Sequence, residues 1–471
     1  MNLQVFRFPI ITSSIISAAS IVFLNIFGPA IFGVNDVNDY RKGNRARQLS
    51  TVKFELFTFP FSVFLYFRLI KLAKYVLTYN SNGVMTDHAS KHLRLIASGT
   101  IFWLLLGHAS LFLYFFPNLP RFFVILSFLS VGLWYHVVIP LAAFAVLTTL
   151  ISGLKARVTV INDEFLYGLL VRSEATTMCH GFISKCLSKF SVLEVFCLNK
   201  NIQTAFTLLV AVFLCFFSYI FCDTLIIKNI SLNVKDLPDS AKGVRFALIS
   251  DIHAGATVFK EQVEEIVDQV NNQMVDAVFI VGDTVDAPRD SIESRVRPLR
   301  FLKPKTFYVS GNHEYYYGNA SEWFDLFQQY GFEVLNNRHV LFRGICVAGV
   351  SDYSSGRSGL PGHLFQPVEA LKGCPTNTTT IVLSHNPASA EKIAFNSAHK
   401  RVDLILSGHT HAGQFYTVAP IAYWMLPYYY GLYQISSGTQ LFVTAGTLYQ
   451  GAPMKMVWTS EIWIIELHVT S

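Results

Sequence analysis

Val244-Arg245-Phe246-Ala247-Leu248-Ile249-Ser250-Asp251-Ile252-His253 is an apolar run that stops at a carboxylate and an imidazole two positions apart. Its length and apolar content mark a buried strand. The same pattern recurs down the chain, in DAVFIV (276–281), TFYVS (306–310), ICVAGV (345–350), TTTIVLS (378–384), VDLILS (402–407), QLFVTA (440–445) and EIWIIEL (461–467). Between the first two runs, Phe259 to Gln273 reads as a helix, because Val263, Ile266, Val267 and Val270 recur on one face. Strands alternating with helices predict an α/β sandwich with layered sheets.

Five of these strand ends are followed at once by metal-ligating residue types. They are Asp251-Ile252-His253, Gly282-Asp283, Gly311-Asn312-His313-Glu314, Ser384-His385 and Gly408-His409-Thr410-His411. Side chains at the ends of adjacent strands converge on one sheet edge, where a rigid scaffold holds them in register. The neighbouring glycines allow sharp turns and close approach. Carboxylate and amide oxygens mixed with imidazoles suit Mn, Fe or Zn, and the lack of thiolates argues against a structural zinc knot. Two metals about 3.5–4 Å apart can clamp phosphate oxygens and generate a hydroxide nucleophile. A lone His at a strand end is more often a packed core residue than a ligand. Five such motifs in order do not fit that explanation.

The series DxH, GDxxD, GNHE, SH and GHTHxG resembles the calcineurin-like metallophosphoesterase superfamily, over roughly Gly243 to Val469. The resemblance implies a four-layer α/β/β/α sandwich for a domain spanning 243–469. It also implies hydrolysis of a phosphomonoester or phosphodiester by attack of a metal-bound hydroxide. Matched motif by motif, Asp251, His253 and His411 would bind one metal; Asn312, His385 and His409 would bind the other; Asp283 would bridge both. His313 would be the general acid, and Asp286 would orient it and stabilise its charge. An alkoxide is a poor leaving group, and a positioned imidazolium removes that penalty. Position 286 is Asp and not Tyr, so the subgroup with a tyrosinate-ligated ferric site does not fit.

The first 230 residues differ in kind. Charged residues are only 14% of the whole chain, mean hydropathy is +0.39, and the 41 Phe concentrate in this half. A soluble domain carries about a quarter charged residues. Five stretches are long and apolar enough to span a bilayer: residues 10–33, 54–72, 95–116, 122–151 and 204–227. They predict a multi-pass α-helical membrane region whose partner is the lipid bilayer. The first span is read as an uncleaved anchor, because its apolar core exceeds that of a signal peptide. Glu55 and Arg68, near the ends of the second, are expected to snorkel to the interface. Pro117-Asn118-Leu119-Pro120 would close the third and fourth spans into a tight hairpin, and a polar connector from 153 to 203 leads to the fifth.

Basic residues predict the orientation. Arg7, Lys71, Lys74, Lys91, Arg94, Lys155, Arg157, Arg172, Lys185, Lys189 and Lys200 fall on one side; Arg41, Lys42, Arg45, Arg47, Lys53 and Arg121 fall on the other. The richer side faces the cytoplasm, so the C-terminal domain is expected to be exoplasmic or luminal. Glycosylation acceptors at Asn229, Asn319 and Asn377 agree. The net charge of +6 is explained by these loops, and no basic stripe interleaved with aromatics marks nucleic-acid binding.

Other residues carry weaker signals. Of seven Cys, five (Cys179, Cys186, Cys197, Cys215, Cys222) lie in or near the membrane half. Cys346 and Cys374, with no CxxC spacing, read as unlinked core thiols, pairing in an exoplasmic compartment being the alternative. Glu314 would support the site or make a loop salt bridge, and Asp352 reads as structural or as a hydrogen-bond acceptor behind the ligands. Lys455 would be a phosphate-binding cation if it faces the cleft. AYWMLPYYYGLY (422–433) reads as packing beneath the active-site rim or as an interfacial lip beside a lipid-linked substrate. The rival function is a membrane transporter or scaffold with a regulatory phosphoesterase-like domain. His108 and His136, inside two spans, are its only support.

Overall fold

The computed structural model describes residues 3–169, 196–395 and 401–469. Arg172, Cys179, Lys185, Cys186 and Lys189, with the middle of the polar connector, lie outside the described residues. Among the described residues five helices are long and apolar enough to cross a membrane: α1 (Leu3–Ile26), α2 (Arg41–Thr78), α3 (Asp87–Ala109), α4 (Arg121–Leu169) and α5 (Lys200–Phe221). The fifth ends at Phe221, short of the expected Ile227, because the chain turns there into a strand, β1 (Ile226–Val234). Packing divides the chain into two units, one of residues 1–13, 60–104 and 133–214, the other of residues 14–59, 105–132 and 215–471.

In the first unit Leu65, Leu104, Trp134, Val137, Leu141 and Ala211 form a core, with Trp134 Nε1 donating to Ser62 Oγ at 2.8 Å. Arg68 does not snorkel. It is buried and donates to Thr204 Oγ1 (3.0 Å), Gln203 Oε1 (3.2 Å) and the Lys200 carbonyl (3.0 Å), so the first turn of α5 supplies the acceptors that an apolar medium lacks. In the second unit Glu55 likewise pairs with His108 rather than reaching an interface.

The rest of the second unit is built on two six-stranded sheets. The further strands are β2 (Arg245–Ile249), β3 (Ala277–Val281), β4 (Lys305–Val309), β5 (Glu333–Val334), β6 (Arg338–Phe342), β7 (Ile345–Gly349), β8 (Thr380–Leu383), β9 (Leu404–Ser407), β10 (Gly431–Ser436), β11 (Thr439–Val443) and β12 (Glu461–Val469). One sheet runs β1-β12-β2-β3-β4-β5 and the other β10-β11-β9-β8-β7-β6. All eight strands read from the sequence are present. The four it missed, β1, β5, β6 and β10, are all sheet edges, where short or polar segments leave little apolar signal.

Alternation along each strand sorts the core into three layers. Phe246, Leu248, Phe279, Val281, Phe307, Ile381, Leu404, Leu406 and Phe442 meet between the sheets. Ala247, Ile249, Val278 and Ile280 face the other way, against Val263, Ile266 and Val270 of α6 (Lys260–Asn271), Ile292 of α7 (Arg289–Val296) and Trp323 and Phe327 of α8 (Ala320–Gln329). Cys346, Ala348, Val382 and Ile405 face an outer layer containing Ala370, Leu371 and Ile393. The result is the four-layer α/β/β/α sandwich. In that outer layer Cys346 and Cys374 form a disulfide, with Cα atoms 6.0 Å apart, so the reading of unlinked thiols is corrected. The 28-residue separation gave no sign of it; the turn after residues 367–371 brings Cys374 onto β7.

Candidate metal centre

The central strands β2, β3, β4, β8 and β9 end side by side, and each hands over to one of the five motifs. Their loops are strained. Asp251, His253, Asp283, His409 and His411 all have left-handed backbones, with φ between 50 and 74°. Such conformations are rare for non-glycine residues and collect at functional sites. Close approach is built in as well: a Cβ on Gly311 would lie 2.1 Å from Asp283 Oδ1.

Two clusters of ligand atoms result. Asp251, His253 and His411 form one, and Asp283, His385 and His409 the other, while His253 and Asp283, one from each, also group with His313. In the first, the Nε2 atoms of His253 and His411 are 3.0 Å apart, and Asp251 Oδ1 lies 3.3 Å from His411 Nε2 and 3.8 Å from His253 Nε2. In the second, His385 Nε2 is 3.1 Å from Asp283 Oδ2 and 3.2 Å from His409 Nδ1. Asp283 Oδ2 is also 3.8 Å from His253 Nε2, which puts this carboxylate between the clusters. The ring of His385 is set by its Nδ1, which donates to the Val281 carbonyl at 2.8 Å and leaves Nε2 facing inward.

The donor set fits a pair of divalent cations on a direct observation. Asn312 Oδ1 is buried without a hydrogen-bond partner among the described residues. Orphaned atoms of this kind are costly unless a ligand or ion satisfies them. The electrostatics divide the imidazoles: burial works to lower His253 and His385, but Asp286 beside the first and Asp283 beside the second outweigh it and raise them, His385 to about 10. Burial, joined by the positive field of His385, lowers His409, and burial holds His411 well below its ordinary value; both are thus kept in the neutral, ligating form. Burial works to raise Asp283, but His385 and His313 outweigh it and keep the carboxyl ionised.

Beside the clusters, His313 Nδ1 donates to Asp286 Oδ1 at 2.5 Å, and the His313 backbone N–H donates to Asp283 Oδ1 at 2.8 Å. Asp286 Oδ1 also accepts from His253 Nδ1 at 2.9 Å, so one carboxylate orients both an imidazole of the first cluster and His313. Gln450, which the sequence did not mark, lies with Nε2 2.7 Å from His313 Nε2. Nothing in its spacing announces it, since it arrives from a loop 137 residues away.

Glu314 makes no salt bridge among the described residues. It is buried and accepts the backbone N–H groups of Gly311 (2.7 Å), Thr284 (2.7 Å) and Asp283 (3.2 Å), clamping two ligand loops together. Burial, then the charge of Asp283, pushes it up to about 7. Asp352 Oδ1 accepts from Ser354 N (2.8 Å) and Oγ (2.5 Å), a local turn. Lys455 does not face a cleft: it is wholly buried, and its Nζ donates to the carbonyls of Gly446 (2.7 Å) and Leu448 (2.6 Å). The aromatic stretch divides, since Tyr428 and Tyr433 are half-buried against the outer core layer while its first part is exposed. In α9 (Ala419–Met425) Tyr423 is 71% and Trp424 85% exposed.

Residues 244–413 match the family model for calcineurin-like phosphoesterases. Relatives named transmembrane protein with metallophosphoesterase domain are 38% identical over 250 residues in Danio rerio and 35% identical over 248 residues in Bos taurus. These alignments cover 51% and 50% of this chain, and this chain spans little more than half of each relative, 57% and 55%. A solved dimetal phosphatase from Danio rerio is similar over 44% of this chain and 88% of its own, at 14% identity and a TM-score of 0.30. The converging ligand loops all lie within the matched residues, and residues 244–413 of this chain are a calcineurin-like phosphoesterase domain.

Proposed function

We propose that this chain is a membrane-anchored, metal-dependent hydrolase of a phosphomonoester or phosphodiester. One observation carries the reading: two carboxylate–imidazole clusters meet at Asp283, beside the hydrogen-bonded pair His313–Asp286. Asp251, His253 and His411 would hold one cation and Asn312, His385 and His409 the other, with Asp283 between them; Mn, Fe or Zn suits these donors. Bound there, the cations would polarise phosphoryl oxygens and lower the pKa of an attacking water. The chain's own groups do the remainder. His313 delivers a proton to the departing oxygen, Asp286 holds its ring and charge, and Gln450 limits the ring's rotation. The test is hydrolysis of an aryl phosphoester by the metal-reconstituted, detergent-solubilised chain. Turnover indifferent to chelation and to metal add-back would sink the reading.

The substrate is proposed to be lipid-linked. Support comes from the five apolar helices and from the exposed aromatic lip, which is tied to the ligand loop: Thr410 Oγ1 donates to the Tyr429 carbonyl at 2.6 Å and Tyr429 OH to the Ala412 carbonyl at 2.5 Å. Trp and Tyr favour membrane interfaces. In mixed micelles a lipid phosphoester should exceed its water-soluble headgroup analogue in kcat/KM by about tenfold or more. Equal values would remove the lipid-linked reading.

The catalytic domain is proposed to face the exoplasm or a lumen. The loop leading into α2 and the loop before α4 both touch the C-terminal domain: a Cβ on Gly359 would lie 2.9 Å from the Asp39 carbonyl oxygen, Arg47 near the start of α2 reaches Tyr317, and the Pro117 carbonyl accepts from Arg295 Nη2 at 3.3 Å. With five spans those loops and the domain share one side, the side poorer in basic residues. The Cys346–Cys374 disulfide suits an oxidising compartment. Of the three acceptor sequons, Asn229 is held in β1 and Asn319 caps α8 by accepting from Ser321 N, whereas Asn377 is exposed in a loop. Chain made in eukaryotic cells should therefore carry a glycosidase-sensitive gel shift that Asn377→Gln removes. Maleimide labelling of Cys346 and Cys374 without prior reduction, together with no shift, would place the domain in the cytosol.

A further inference from the structure

Arg47 takes no part in the hydrolysis proposed above. It lies in α2, seven residues before Phe54, where the second apolar run begins. Along a helix that is about 10 Å. From there it reaches the loop that carries His313. Its Nε donates to Tyr317 OH at 3.4 Å, and its guanidinium carbon lies 4.9 Å from the centre of the Tyr316 ring. Those two tyrosines in turn flank His313, with ring centres 5.1 Å (Tyr316) and 5.7 Å (Tyr317) from the imidazole. Tyr317 is itself locked by stacking on Tyr114 at 5.2 Å. The helix is seated closely: a Cβ on Gly43 would lie 2.4 Å from the Tyr315 carbonyl oxygen.

What the guanidinium lacks is an anion. No carboxylate pairs with Arg47 among the described residues, although Arg41, Arg289, Arg338, Arg343 and Arg401 each have one. Its two terminal nitrogens, four donors in a planar fork, have no acceptor among the described residues. The side chain is half-buried against aromatic rings, and the fork geometry matches a carboxylate or phosphate in two parallel hydrogen bonds.

We propose that Arg47 binds a second anionic group of the substrate, one carried by the alcohol that leaves, and so selects phosphoesters whose leaving alcohol bears a carboxylate or a further phosphate. The proposal rests on the hydrolase reading above, because His313 defines the leaving side. It makes the site composite, with its specificity residue supplied by the helix that runs on into the membrane half. A headgroup of an anionic lipid and a free anionic phosphoester share this chemistry, and Arg47 reads the anion in either.

The test uses a matched pair of probes, phenyl phosphate and 4-carboxyphenyl phosphate, with the metal-loaded full chain in detergent. Wild type should favour the carboxylated probe in kcat/KM by about tenfold or more, mainly through KM. Arg47→Ala should bring that ratio close to one, and Arg47→Lys should recover part of it, since a point charge lacks the fork. A ratio unmoved by Arg47→Ala overturns the proposal, as does full recovery of a lost ratio by Arg47→Met, which would make the side chain's packing responsible. Binding is read separately by calorimetry with 4-hydroxybenzoate, the leaving alcohol itself. Its dissociation constant should rise about tenfold in Arg47→Ala, and equal binding by wild type and variant also overturns the proposal. Failure of wild type to hydrolyse either probe would count against the hydrolase reading alone, because the binding comparison still decides the role of Arg47.

Discussion

Asp283→Ala is expected to lower turnover of the metal-loaded chain by about 10³-fold or more, on the scale of removing a principal stabiliser of transition-state charge. The size follows from where the side chain stands. Its Oδ2 faces His385 Nε2 at 3.1 Å and His253 Nε2 at 3.8 Å, so with the proposed ligand set one substitution would strip a ligand atom from both cations. Its Oδ1 accepts the His313 backbone N–H, and that bond also vanishes. Metal content is the decisive companion measurement: bound metal per chain should fall below two in Asp283→Ala. Asp283→Asn, which keeps an oxygen for the His313 N–H but loses the charge, should bind metal better than the alanine variant and remain slow. Full activity with Asp283→Ala and His385→Ala combined would show that the dinuclear mechanism is wrong.

His313→Gln should separate acid catalysis from metal binding. Loss of a positioned general acid costs about 10²–10⁴-fold, and the loss depends on how badly the leaving oxygen needs its proton. An alkyl phosphoester should suffer the full effect. A p-nitrophenyl ester, whose leaving group departs as a stable anion, should suffer much less, while metal content stays unchanged. Equal losses on both substrates would remove His313 from the acid role. Asp286→Asn is expected to behave differently from His313→Gln, because Asp286 Oδ1 serves His253 as well as His313. It should weaken metal binding in addition to flattening the leaving-group dependence.

The limits of the sequence reading are physical. The ligand motifs were legible because each follows an apolar strand within one to four residues, and strand and loop are both local features. Two errors came from local reasoning about contacts that are not local. Glu55 and Arg68 were sent to the interface because a single helix offers them nothing, and it took His108 and the first turn of α5 to keep them inside. Cys346 and Cys374 were read as unlinked because their spacing says nothing about the turn that joins them.

The same division runs through the site. Residue types and their order in the chain determined the strands, the clusters at their ends and the five apolar helices, since hydrophobic periodicity and strand-end chemistry are written in neighbouring residues. Tertiary structure alone decided that Asp283 lies between two clusters, that Asp286 is shared by two histidines and that Glu314 clamps three amides. It alone seated Arg47 beside the His313 loop, 270 residues away in the chain from the tyrosine it touches. Those relations are distances between side chains on separate elements. They come into being only when the sheets pack and their loops are drawn together at one edge.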